Sequence, residues 1–107
     1  MRKKRSGAEY ERHCASKMKW HGWIGVTLIG KSHDYGADII ARGLFFRKIV
    51  VQCKSYSKPV GVKAVQEVNA ARQYYRASRA AVATNNKFTK EAKALAARCG
   101  VELWEGY

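Results

Sequence analysis

Three short stretches place polar side chains where an ordinary fold has no evident use for them. At 100° per residue, Gly7, Tyr10, Cys14, Ala15 and Met18 share one arc of a helix. Glu9, Arg12, His13, Ser16, Lys17 and Lys19 occupy the other, and Glu11 falls in the middle of the apolar arc. A carboxylate facing a core is costly unless it is paired or meets a cation. Asp38 stands at the start of a strand ahead of Ile39 and Ile40, although Asp is a poor strand former. In Val50-Val51-Gln52-Cys53-Lys54, alternation puts Gln52 and Lys54 on one face and Val51 and Cys53 on the other.

Each stretch alone has an ordinary alternative. Glu11 could form a buried ion pair, Asp38 could be a turn residue beside Gly36, and Gln52 with Lys54 could be a solvated strand end. Together they suggest a site for a hard divalent cation. Mg²⁺ takes oxygen ligands and keeps several waters. Asp38 and Glu11 would supply charge, and Gln52 an amide oxygen. Lys54 would orient or deprotonate a water and meet phosphate charge, the requirements of in-line attack on a phosphodiester.

The elements that must position these residues follow from periodicity and punctuation. Residues 1–5 form a basic arm, and residues 6–107 a single domain. Ser6 and Glu9 have capping-box spacing, opening a helix predicted to run to about Trp20, with Gly22 ending it. Residues 23–29 read as a strand, 30–36 as turn chemistry, and 37–41 and 48–54 as two strands connected around Gly43. After Pro59 and Gly61 a second helix is expected over about 62–75, with Ala64, Val65, Val68, Ala71 and Tyr75 as its apolar stripe. A buried strand at 80–84 follows. Thr89 then caps a third helix ending at Cys99-Gly100, with Ala92, Leu95, Ala96 and Cys99 inward, and residues 101–104 make a last strand. The order is α-β-β-β-α-β-α-β, a mixed β-sheet flanked by helices, in the α/β class.

The chain has 107 residues, of which 47% are apolar, enough for one modest core. No apolar run approaches the roughly 20 residues of a membrane span, and nothing reads as a secretory signal, so no membrane partner is expected. Lys and Arg total 21 against 8 Asp and Glu, a formal charge of +13, for which a polyanion such as nucleic acid is the fitting partner. Cys14, Cys53 and Cys99 are too widely spaced for a CxxC unit, and His13, His21 and His33 do not complete zinc-ligand spacing with them. Buried, reduced thiols of a cytoplasmic protein are expected instead.

Several segments, in order, carry a family resemblance. Gly7-Ala-Glu-Tyr-Glu11, Asp34-Tyr-Gly-Ala-Asp38, Val51-Gln-Cys-Lys54 and Pro59-Val-Gly-Val-Lys-Ala-Val-Gln66 are the first four. Ala81-Val-Ala-Thr-Asn85, Phe88-Thr-Lys-Glu-Ala92 and Gly100-Val-Glu-Leu-Trp104 follow. This set resembles the Mrr-type restriction endonuclease catalytic domain of the PD-(D/E)xK nuclease superfamily, which also contains archaeal Holliday junction resolvases. The resemblance implies a restriction-endonuclease-like three-layer core and a Mg²⁺-dependent endodeoxyribonuclease, with Mn²⁺ as a substitute metal. By motif position, Asp38 would be the principal metal ligand and Lys54 the catalytic lysine. Gln52 holds the place of the usual acidic residue, and the backbone carbonyl of Cys53 would complete the coordination. Glu11 matches the acidic residue of the family's first helix. Gln66 matches a helix glutamine that supports the site, yet on spacing alone it lies opposite the second helix's apolar stripe.

Many Mrr-type proteins join this domain to a separate DNA-reading module that these residues do not include. Recognition by DNA structure or phosphate, with low sequence specificity, is therefore expected, whether the enzyme is restriction-like or resolves junctions. Arg2, Lys3, Lys4, Arg5, Lys31, Lys58, Lys63 and Lys87 are the candidate phosphate contacts. A homodimer is expected because two strands need two cuts, and Leu44-Phe45-Phe46 offers a contact surface unless it packs under the first helix or last strand. The rival function is a non-catalytic nucleic-acid-binding module, for which the charge alone would suffice.

Overall fold

The computed structural model describes residues 6–29 and 35–107. Helix α1 (Gly7–Trp20) opens as its spacing predicts. The Glu9 N–H donates to Ser6 Oγ at 3.2 Å, and the Ser6 hydroxyl donates back to the Glu9 carboxylate at 3.1 Å. Strands β1 (Ile24–Leu28), β2 (Ile39–Arg42) and β3 (Lys48–Lys54) follow, then α2 (Val62–Tyr74), β4 (Arg79–Thr84), α3 (Lys90–Cys99) and β5 (Glu102–Trp104). At α3 the Thr89 hydroxyl accepts from the Ala92 N–H, and Gly100 closes the helix in the left-handed region at φ 71°.

Among the described residues the five strands form one sheet in the order β1-β2-β3-β4-β5. The pairs β1–β2 and β2–β3 are antiparallel, whereas β3–β4 and β4–β5 are parallel. Strand β3 is therefore the seam between an antiparallel hairpin half and a parallel crossover half. Alternation along β3 divides the interior in two. Ile49 and Val51 join Ile39, Ala41, Ala81 and Ala83 against Tyr10, Cys14, Ala15 and Met18 of α1. Val50 joins Ala80 and Val82 against Ala64, Val65, Val68 and Ala71 of α2 and Ala92 and Ala96 of α3. The result is the mixed sheet flanked by helices expected from the element order, in the three layers that the family resemblance implies.

The structure corrects the reading at several boundaries. Strand β1 is shorter than 23–29 and mostly exposed, with a register shift between Ile24 and Thr27 and Gly25 at φ 59°. Strand β2 begins at Ile39, but the ladder reaches one residue further back: the Asp38 N–H donates to Val51 O and its carbonyl accepts from the Ile29 N–H. Of the three thiols, all free, Cys14 is buried and Cys53 and Cys99 are half-buried. Leu44–Phe46 is a 3-10 turn packed under neither α1 nor β5. Its side chains are 83%, 88% and 69% exposed, because the hairpin projects past the sheet and is closed by its own bonds, Gly43 N–H to Arg47 O and the Arg42 guanidinium to Phe46 O. Among the described residues, no helix is long and apolar enough to cross a membrane.

Phe45 and Phe46 both hold φ 59°, a left-handed conformation disfavoured for large side chains. Since the Phe45 ring is solvent-exposed within the single chain, little packing inside the domain is lost with it. Phe45→Gly should raise stability by about 1 kcal/mol through relief of that strain, measured as a higher midpoint in thermal or urea unfolding.

Candidate active site

The site is built where β2 begins and β3 ends. The register pairs Ile39 with Val51, so the next step back sets Asp38 opposite Gln52. Directly opposed residues of an antiparallel pair share a face. Asp38 is fixed at two points: its N–H donates to Val51 O at 2.8 Å, and its Oδ2 accepts from the Cys53 N–H at 2.7 Å. Gln52 is 5% exposed, and its Nε2 donates to Glu67 Oε1 of α2 at 3.2 Å. Gln52 Oε1 is buried and has no hydrogen-bond partner among the described residues. Lys54, two residues on and on the same face, places Nζ 3.9 Å from the same Glu67 oxygen and 5.7 Å from the centre of the Tyr56 ring.

Glu11 approaches from the α1 side, half-buried between Tyr10 and Cys14. Cys53 is held far above the usual thiol range, first by its hydrogen bond to Cys14, then by burial, with the Cys14, Asp38 and Glu11 charges adding to the effect. Cys14 is lowered in turn by that hydrogen bond, against the opposing effect of its burial. Carboxylates from α1 and from the head of β2 are therefore both felt at one sulfur atom. The Cys53 thiol is a poor nucleophile in this setting, and its main chain is the part that faces Asp38.

The structure brings Asp38, Gln52, Cys53 and Lys54 together, with Glu11 within electrostatic reach. It does not bring Gln66, which is exposed on α2. The residue that meets Gln52 and Lys54 is its neighbour Glu67, which the sequence reading passed over. A signal was available: at 100° per residue Glu67 lies on the flank of the apolar arc of α2, whereas Gln66 lies opposite it. The backbone also locates Glu67. A Cβ on Gly36, at φ +87°, would stand 2.3 Å from Glu67 O, so α2 and the turn leading to Asp38 meet main chain to main chain at this point, beside the stacked rings of Tyr35 and Tyr74.

Of the basic candidates, Arg2, Lys3, Lys4, Arg5 and Lys31 lie outside the described residues. Lys58, Lys63 and Lys87 are exposed. The Val60 N–H donates to Lys87 O and the Thr89 N–H to Val60 O, so the loops bearing Lys58 and Lys87 run side by side beyond the end of β3. Among the described residues no three His, Cys, Asp or Glu side chains cluster as a ligand set. A cation at this site would therefore draw on the amide and main-chain oxygens as well as on carboxylates. The buried, unpartnered Gln52 Oε1 and the hard character of these donors fit such an ion.

A mixed five-stranded sheet between helical layers, its central strands meeting at this cluster, defines the restriction-endonuclease-like class of fold. Residues 2–107 match the Mrr-type catalytic domain family, described as restriction endonuclease, and the chain belongs to that family. Among solved structures, EndoMS in its apo form is similar, with a TM-score of 0.74 and 17% identity over 97% of this chain and 47% of that one. A repair endonuclease from Pyrococcus abyssi has a TM-score of 0.67 and 17% identity over 98% and 48%. The EndoMS–dsDNA complex has a TM-score of 0.66 and 18% identity over 98% and 46%. The chain thus spans about half the length of these structures. No curated protein sequence matches it significantly.

The Gly36–Glu67 contact is testable. Gly36→Ala adds a methyl group where the backbone leaves no room, at a φ that alanine rarely adopts. It should destabilise the domain by about 1–3 kcal/mol from backbone strain alone, seen as a lower denaturation midpoint.

Proposed function

We propose that this chain is the catalytic unit of a divalent-metal-dependent DNA endonuclease. The observation that carries the reading is the convergence of Asp38, Gln52 and Lys54 on one face at the β2–β3 seam, with Gln52 Oε1 buried and unpartnered. Asp38, Gln52 and the Cys53 carbonyl would hold Mg²⁺ or Mn²⁺, with Glu11 as the second carboxylate. The bound metal would lower the pKa of a coordinated water and polarise the phosphoryl oxygens.

The remaining work falls to the chain itself. Asp38 keeps its carboxylate aimed at the site because the Cys53 N–H anchors one oxygen. Lys54 sets its ammonium beside the phosphate, orients the attacking water and opposes the charge that builds on the phosphoryl oxygens. Gln66, exposed on α2, would act from outside this cluster.

DNA is the substrate that the charge of +13 supports, and EndoMS, one of the similar folds, has been solved on dsDNA. Phosphate contacts from the basic arm, Lys31, Lys58, Lys63 and Lys87 would set affinity without reading bases. A homodimer would present two sites to two strands. Support comes from exposed Leu44, Phe45 and Phe46, which with Trp23 and Ile24 line a groove of about 470 Å³.

Purified protein should cut supercoiled or branched DNA with Mg²⁺ or Mn²⁺ and lose that activity in EDTA. Asp38→Ala should abolish cleavage, and Lys54→Ala should lower it by about 10²–10⁴-fold. Both should keep DNA affinity in a gel-shift assay, because affinity is spread over many phosphate contacts. DNA binding without cleavage of any substrate form would instead indicate a non-catalytic binding module. Sedimentation should give a mass near twice 12.1 kDa, reduced by Phe46→Glu without loss of fold; a monomer at tens of micromolar would rule out the dimer.

A further inference from the structure

We infer that Glu67 is the positioning residue of this site: it sets the direction of the Gln52 amide and supplies the negative charge that Gln52 lacks. The inference rests on the metal-dependent reading above. It starts from the two unlike ends of an amide. Gln52 is 5% exposed, so neither end can turn to water for a partner. Its Nε2 donates to Glu67 Oε1 at 3.2 Å, which leaves Oε1 buried and unpartnered on the side away from Glu67. An ionised carboxylate only accepts hydrogen bonds. The reversed amide would set oxygen against oxygen, so Glu67 selects the orientation that offers Gln52 Oε1 as a ligand.

The second role is electrostatic. With Gln at position 52, the Asp38 and Glu11 carboxylates and the Lys54 ammonium sum, among the described residues, to a net of one negative charge near the cation position. Glu67 Oε1 lies 3.9 Å from Lys54 Nζ and restores the missing negative charge from behind Gln52, whose amide it holds. Both partners are partly exposed, with side chains 25% and 37% accessible, so the pair does little for stability. Its effect is on the field at the site. Glu67 is also the residue whose carbonyl oxygen abuts Gly36 in the turn before Asp38, so the backbone that carries the carboxylate is registered against the backbone that carries the principal ligand.

A merely structural Glu67 and a positioning Glu67 differ in what a reciprocal exchange does. In the full chain, Mn²⁺ binding without DNA would be measured by titration calorimetry, and cleavage as a function of Mn²⁺ concentration, with circular dichroism to confirm folding. Glu67→Gln keeps an acceptor for Gln52 but removes the charge. Glu67→Ala removes both. Mn²⁺ affinity should fall in each, by about 10–100-fold in the alanine variant and less in the glutamine variant. The cleavage optimum should shift to higher Mn²⁺ by a similar factor. The double variant Gln52→Glu/Glu67→Gln moves the carboxylate to position 52 and keeps a hydrogen bond across the pair with donor and acceptor exchanged. It should regain at least wild-type Mn²⁺ affinity. Unchanged Mn²⁺ affinity in the folded single variants, or failure of the exchange to restore it, would overturn the role of Glu67 while leaving the metal-dependent reading intact. If the wild-type chain itself binds no Mn²⁺, that reading falls, and the role of Glu67 falls with it.

Discussion

Asp38 is held by β3 from two directions, through its main-chain N–H to Val51 O and through its carboxylate from the Cys53 N–H. Those two bonds lie on either side of Gln52, so the residue between them must face Asp38 across the strand pair. A shift of one residue in the β2–β3 register would turn Gln52 and Lys54 toward α1 and bury Val51 against α2. The register cannot slip, because Ile39, Ile49 and Val51 are fully buried on one face and Val50 on the other. The apolar pattern that holds the core together is thus also what aligns the carboxylate with the amide and the lysine.

The helices complete this arrangement in the same way from opposite layers. Each carries one acidic residue on or beside its apolar arc: Glu11 between Tyr10 and Cys14 in α1, and Glu67 next to Val68 in α2. A helix that packs its apolar face on the sheet therefore delivers a carboxylate to the end of β3 without any special loop. The contact of Gly36 with the Glu67 carbonyl fixes how far along the sheet α2 can slide.

Much of this was legible in the sequence. Strand alternation paired Gln52 with Lys54, helical periodicity isolated Glu11, and the capping residues Ser6 and Thr89 marked two helix starts that the structure reproduces. Local pattern was less informative wherever a long-range contact decides the outcome. Gln66 stands out through motif position, but it is exposed on α2, and its neighbour Glu67 is the residue whose side chain meets Gln52 and Lys54 across 15 and 13 positions of sequence. Leu44, Phe45 and Phe46 read equally as an exposed contact surface or as residues covered by the first helix or last strand, and the structure leaves them exposed on a hairpin that extends past the β2–β3 ladder. The shared influence of Glu11 and Asp38 on Cys53 joins three elements distant in sequence, which no local window contains.

The irregularity in β1 has a consequence for solubility. An outermost strand offers a row of free amide and carbonyl groups that can template another chain, and exposed Ile24 and Leu28 would add apolar adhesion to such pairing. Here the row is interrupted. The pairing is offset between Ile24 and Thr27, Gly25 turns into the left-handed region, and the Thr27 hydroxyl donates to the Gly25 carbonyl at 3.1 Å. A strand arriving from another molecule finds neither an even spacing nor a full set of acceptors. Copies of this strongly cationic chain can thus crowd together without their sheets fusing through the β1 edge.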